Sequence, residues 1–230
     1  MDYSQFLMMP QELGLLAVFL LVFLFDTFMP KKSLGALPVF TSVIFGAFAI
    51  ANYFMLMRGT AFSGMFESTA STFVMKSILN VGMLIVLVQS IKWSNSEFVA
   101  VRRGEFYELL LTTLFGMYLM ISARHFLLFV IGLETASLPL AALVAFNKNR
   151  YESHEAAAKY MFTAIFSSAI FMLGLSFVYG LTGSMYFADI ASRLVGGSNT
   201  ALLITAIAFV IAGVGFKLSL VPFHLWTADV

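Results

Sequence analysis

Glu134, Lys159 and Lys217 lie in or at the edge of long apolar runs, VIGLETASLPL, HEAAAKYMFTA and GVGFKLSLVPFHLW. A charge at the centre of a membrane-spanning helix costs roughly 2.5–3.5 kcal/mol even on the lenient insertion scales. A chain that keeps both signs there has a use for them. One acid and two amines held away from bulk water can take up and release protons. The chemistry these types point to is proton movement through a membrane. His224 lies close behind Lys217, and as a neutral imidazole it can relay a proton.

Each candidate has its own local setting. Glu134 is eight residues from Phe126 and twelve from Phe146, roughly 12 and 18 Å at helical rise, too far to reach either face comfortably. Burial and a nearby cation pull a carboxyl's proton affinity in opposite directions, which makes such a group exchangeable. Pro139, five residues on, removes a backbone donor and exposes a carbonyl near the site. Lys217 is preceded by Gly213 and Gly215 and followed five residues later by Pro222. That run predicts a broken helix, and broken membrane helices line cavities because their freed backbone groups need polar partners. Lys159 stands near the start of its apolar run, so two readings stay open, a functional amine and a lysine snorkelling to the surface. His224 has the same pair of readings, relay or interfacial histidine. The polar residues Asn80, Gln89, Thr163, Ser167 and Ser168 fall on apolar runs, where such groups join helices to one another.

Helices must carry these residues. The 230-residue chain is 60% hydrophobic and 11% charged, against about 25% charged in a soluble domain. This predicts an all-α integral membrane protein. A spanning helix needs about 20 mostly apolar residues. Seven stretches meet or approach this, at 12–29, 36–57, 72–92, 106–123, 126–146, 156–181 and 200–221. Glu134 falls on the fifth, Lys159 on the sixth and Lys217 on the seventh. The first lacks a basic leader and an Ala-x-Ala site, so it reads as a spanning helix and not as a signal peptide. The chain stops soon after the seventh stretch and reads as the front portion of a longer polypeptide.

Loop charge sets an orientation. Lys31, Lys32, Lys92, Arg102, Arg103, Lys148 and Arg150 follow the odd-numbered stretches. Arg58, Arg124, Arg193 and Lys76, the last read as lying at the mouth of the third stretch, fall on the other side. The excess of basic residues marks the first group as cytoplasmic and the N-terminus as external. Trp93, Tyr107, Tyr151 and Trp226 read as interfacial anchors. A net charge of +1 gives no footprint for nucleic acid. The absence of cysteine excludes disulfides and cysteine-ligated clusters. The scattered His125, His154 and His224 supply no helical ligand pair. There is no phosphate-binding glycine loop and no catalytic triad pattern. Energy for any work must come from an ion gradient or a partner subunit.

Three segments carry a family resemblance. GFKLSLVPFHLWTADV at 215–230 resembles the seventh-helix motif of the N-subunit family of proton-pumping NADH:quinone oxidoreductase, respiratory complex I. FLLFVIGLETASLPLAALVAF at 126–146 and EAAAKYMFTAIFSSA at 155–169 resemble its fifth and sixth helices. The resemblance implies an antiporter-like fold of inverted five-helix repeats with a discontinuous seventh helix. Residues 1–104 would then hold the leading helices and a cytoplasmic loop, and 105–230 most of the first repeat. It also implies that Glu134 and Lys217 form a charge pair gating a proton path, with Lys159 as the sixth-helix lysine. No cofactor is implied in this chain. NADH, FMN, iron–sulfur clusters and quinone would belong to partner subunits of a hetero-oligomer in the bacterial inner membrane. The alternatives are a cation/proton antiporter or membrane-bound hydrogenase subunit of the same fold, and, in another class, a membrane scaffold whose buried charges are only structural.

Overall fold

A computed structural model describes residues 3–29, 34–194 and 199–230. Helices occupy all seven predicted stretches. They are α1 (Pro10–Phe28), α2 (Leu37–Asn52), then, after a small hairpin of β1 (Gly59–Ala61) and β2 (Phe66–Ser68), α3 (Ala70–Ser94). A short α4 (Glu97–Ala100) leads to α5 (Arg103–Ser122), α6 (Phe126–Val144) and α7 (Tyr151–Thr182). Next come the eight-residue α8 (Phe187–Leu194), α9 (Thr200–Lys217) and a terminal turn, α10 (Trp226–Asp229). Five of these, α1, α3, α6, α7 and α9, are long and apolar enough to cross a membrane. The 16 residues of α2 reach roughly 24 Å, short of a ~30 Å hydrocarbon core. The first turns of α5 carry Arg103, Glu105 and Glu108.

Several predicted helix ends move. The second stretch was expected to run to residue 57, but α2 ends at Asn52. The chain then enters the hairpin, pinned where Ser68 Oγ donates to the Met57 carbonyl at 2.6 Å. The third stretch is longer than expected, because Thr69 and Thr72 form a reciprocal capping box at its start. Of the loop charges used for orientation, Lys31 and Lys32 lie outside the described residues.

The chain packs as two units, one of residues 1–123 with Leu128–Leu143, the other of Arg124–Leu127 with Val144–Val230. In the first unit, α1, α2, α3 and α5 surround a core that includes Leu15, Val22, Phe45, Leu87, Leu111 and Leu114. The amphipathicity of α3 is inverted. Val74, Ile78, Val81 and Ile85 face outward, whereas Lys76, Asn80, Leu87, Ser90 and Ser94 are buried. In lipid the outward apolar stripe is solvated by hydrocarbon, so polar groups gather inside, where they can bond to one another. Helix α6 meets α5 through a mutual glycine crossing. A Cβ on Gly116 would lie 2.4 Å from the Ala136 nitrogen, and one on Gly132 would lie 2.8 Å from the Gly116 oxygen.

In the second unit α7 and α9 pack along most of their length. Gly174 lies against Val210 and Gly213 against Phe171. Ser167 Oγ, buried on α7, donates to the Gly213 carbonyl of α9 at 2.7 Å. Helix α7 ends at Gly183, whose φ of 65 lets the chain leave in a left-handed cap.

Candidate functional site

Glu134 sits in the middle of α6, in the first unit, and is half-buried. Its neighbour Thr135 donates its hydroxyl to the Ile131 carbonyl at 2.7 Å. Pro139 is buried inside the same helix. It has no N–H to offer the Thr135 carbonyl, so one backbone acceptor beside Glu134 is released from the helical ladder.

Lys159, Lys217 and His224 belong to the second unit. Lys217 is the last residue of α9. The seventh stretch was expected to run helically to residue 221. It ends four residues earlier, because the ladder is replaced by tighter and wider bonds. Ser219 N–H donates to the Phe216 carbonyl at 3.0 Å and Leu220 N–H to the Gly215 carbonyl at 2.8 Å, with Ser219 at a φ of 55. Pro222 therefore lies in the turn segment that follows the helix end. Gly213 accepts the bond from Ser167, and Gly215 gives room to Phe223, whose ring would be 3.3 Å from a Cβ there. The Lys217 ammonium nitrogen is buried in this last turn.

Trp226 closes the segment back onto the unit. Its indole N–H donates to the Phe216 carbonyl at 3.0 Å, and its ring stacks on Phe216 and tilts against Tyr160. His224 is exposed in the same segment. Lys159 is about half exposed and pairs at 2.9 Å with Glu155, one turn earlier on α7. An apolar groove of about 450 Å³ runs between α7 and α9, lined by Phe162, Ser167, Ala212 and Phe216 among others.

One fully buried ionic contact escapes the sequence reading. Lys76, expected at a helix mouth, is fully buried on α3 and pairs with Glu12 of α1 at 2.5 Å. The ammonium lies 5.4 Å from the ring centres of both Phe66 and Tyr118. Tyr118 OH donates to Asn80 Oδ1, and Ser122 Oγ approaches Glu12 at 3.5 Å. The signal was present: Lys76 and Asn80 are one helical turn apart, the spacing of one face. What sequence could not supply was the partner, 64 residues away on α1.

Between α5 and α6, His125 accepts the Leu127 N–H through Nδ1 at 3.0 Å and meets the Tyr186 ring edge-on at 4.6 Å. Burial pushes its pKa below the usual histidine value, and the accepting Nδ1 needs the unprotonated ring. His154 is exposed, with Nε2 3.0 Å from the Lys148 carbonyl. Among the described residues no group of three or more His, Asp or Glu side chains is arranged to hold a metal ion.

Long helices with lipid-suited outer faces and polar groups turned inward define the class, a multi-pass helical membrane protein. Residues 123–230 match the family described as NADH:quinone oxidoreductase/Mrp antiporter, transmembrane. Over the full chain it is 48% identical to NADH-quinone oxidoreductase subunit N of Azobacteroides pseudotrichonymphae and 46% identical to that of Phocaeicola vulgatus. Each match covers 48% of the relative, so the chain spans about half the length of the curated relatives it matches. A solved structure titled respiratory complex I from Thermus thermophilus with bound aureothin superposes with a TM-score of 0.73 at 28% identity, covering 96% of this chain and 46% of that one. A chain of an archaeal membrane-bound sulfane sulfur reductase shares the fold at a TM-score of 0.66 and 20% identity, over 97% of this chain and 46% of that one. Over its whole length the chain is thus similar to about half of subunit N of NADH-quinone oxidoreductase, and residues 123–230 carry the antiporter-like match.

Proposed function

We propose that this chain is part of a proton-translocating membrane subunit of NADH:quinone oxidoreductase. The observation that carries the reading is the similarity of the whole of this chain to about half of subunit N of that enzyme, joined to a carboxyl mid-helix at Glu134 and a buried amine at the end of α9. Residues 1–104 are the leading helices and 105–230 most of the first antiporter-like repeat, with seven spanning helices in all. The seventh is discontinuous at Lys217–Pro222, and Gly213 and Gly215 give the break its room.

Glu134 and Lys217 form the gating charge pair. A proton arriving on the carboxyl removes its charge and weakens its hold on the ammonium, so the amine can pass a proton onward. Lys159 is the intermediate amine, held by Glu155 until the path loads. His224, beyond the break, exchanges protons with the exit side. NADH, FMN, iron–sulfur clusters and quinone reside in partner subunits of the hetero-oligomer, and their chemistry supplies the energy. The protein lies in the bacterial inner membrane with its N-terminus outside.

The test replaces Glu134 by Gln and Lys217 by Ala in the assembled complex and measures protons moved per NADH oxidised. Both variants are expected to lose translocation. Wild-type pumping in both would overturn the reading. The family description also covers Mrp antiporters. A cation/proton antiporter subunit would carry out exchange driven by an ion gradient with no NADH oxidation, and measuring whether proton movement requires NADH separates the two.

A further inference from the structure

The Glu12–Lys76 pair lies outside the Glu134–Lys217 set, and stability alone does not account for it. Replacing a buried ion pair by apolar side chains of similar volume is often neutral or stabilising. Yet here both charges are withdrawn from solvent inside a helix bundle, at 2% and 0% exposure. The pair occupies one end of the first unit. Glu12 is in the first turn of α1, Lys76 in the second turn of α3 and Ser122 at the last residue of α5. The hairpin covers that end. Phe66 of β2 is fully buried, bridges to Ala123 and faces the ammonium.

Polar groups continue inward from the pair. Asn80 takes the Tyr118 hydroxyl on Oδ1, while its Nδ2 has no hydrogen-bond partner among the described residues. The buried Gln11 beside Glu12 likewise has neither amide atom bonded among them. A clasp built only to hold helices together would be expected to satisfy its polar atoms, since each buried orphan costs about 1–3 kcal/mol. A spare amide donor on Asn80, one turn of α3 from a close carboxyl–amine contact, fits a site that changes protonation state. By contrast, the other polar layer of α3 is fully bonded at its side-chain oxygens. Ser90 and Ser94 share the Tyr107 hydroxyl at 3.1 and 3.0 Å, and Arg103 Nε donates to the Ser94 carbonyl.

We propose that Glu12 and Lys76 form a second internal proton-exchange site, at the hairpin-covered end of the leading-helix unit. The proton leaves Lys76 Nζ, the bonding electron pair stays on nitrogen, and the proton bonds to Glu12 Oε1. The pair passes from ammonium–carboxylate to amine–carboxylic acid without change in net charge. Ser122 Oγ is the next oxygen from Glu12, and the Asn80 amide lies one turn of α3 from the amine. The role rests on the proposed proton translocation by the assembled complex.

The deciding variant is Lys76→Arg, because a guanidinium keeps the positive charge and the contact with Glu12 but does not give up its proton. It is measured in the full-length subunit within the complex, beside Glu134→Gln. The expected result is assembly as in wild type, retained NADH oxidation and a loss of protons moved per NADH. Wild-type pumping in Lys76→Arg with pumping lost in Glu134→Gln overturns this proposal alone. Wild-type pumping in both overturns the translocation reading as well. If the arginine variant does not assemble, the neutral pair Glu12→Gln/Lys76→Met is measured the same way. It supports the proposal if it assembles and pumps less, and overturns it if it pumps normally. Failure of both to assemble also overturns it, since the pair would then act only as a clasp.

Discussion

Glu12–Lys76 and Glu155–Lys159 both join a lysine to a glutamate, and their surroundings could hardly differ more. Glu12–Lys76 is fully buried and links α1 to α3 across 64 residues of sequence. Glu155–Lys159 is a one-turn pair on α7 with both side chains about half exposed. The first holds two desolvated charges that neutralise each other. The second is a local contact that either partner can leave at little cost. Burial, and not proximity, decides how much a charge pair constrains the fold.

The largest effect follows from breaking the buried pair on one side. Lys76→Met leaves Glu12 as an uncompensated buried charge, expected to destabilise the subunit by roughly 3–5 kcal/mol. Thermal unfolding of the purified full-length subunit in detergent is expected to show a large drop, which Glu12→Gln added to Lys76→Met largely restores. If Lys76→Met alone unfolds like wild type, the two pairs are energetically alike and the contrast fails.

Next come the helix crossings, one in each unit. Gly116→Ala drives a Cβ to 2.4 Å from the Ala136 nitrogen, and Gly174→Ala drives one to 2.8 Å from the Val210 nitrogen. Both clashes are with backbone, which yields only if helices separate, so each is expected to cost about 1–3 kcal/mol. Gly116→Ala should be the worse of the two. The reverse order in matched unfolding measurements would show that the α5–α6 contact is looser than the α7–α9 contact.

Smaller again is the cut at the exposed pair. Glu155→Ala is expected to change stability by only about 0.3–0.5 kcal/mol, the size of an i,i+4 helix pair. Under the proposed translocation, its effect on pumping separates the two readings of Lys159. A lysine that merely reaches for the surface leaves pumping unchanged without Glu155, whereas one held in a proton path shifts it.

Much of this was legible in the sequence, for identifiable reasons. The apolar runs locate the long helices because lipid demands hydrophobic side chains along the whole of a span, and five of them are long and apolar enough to cross a membrane. Glu134 and Lys217 stand out because they interrupt such runs. Glycine and proline announce the end of α9, although the helix stops at Lys217, before Pro222. The misses share a cause. Lys76 lies only seven residues into its helix, so position alone suggested an interfacial lysine. Its burial depends on Glu12, Phe66 and Tyr118, which come from three other segments. The hairpin was missed because three-residue strands carry too little pattern, and its turn uses Phe62 and Ser63 at positive φ, which residue type does not predict.

The smallest expected effect is a pH response at His125, and its sign can be worked out. The folded ring holds its proton less tightly than the unfolded chain does. The stability it contributes is therefore complete above the ordinary histidine pKa of about 6.5 and is lost as pH falls toward the lower folded value. Protonating Nδ1 also removes the acceptor for the Leu127 N–H, at the entry to α6. Hydrogen exchange of the Leu127 amide, corrected for intrinsic rates, should quicken between pH 7 and pH 5. In His125→Asn, which can accept the same bond through its side-chain oxygen but does not titrate, the corrected rate should stay flat. Because the ring is only partly buried, the change should be well below that of Lys76→Met, where the charge has no water to turn to. An equally flat profile in wild type would show that the local fold does not sense this proton.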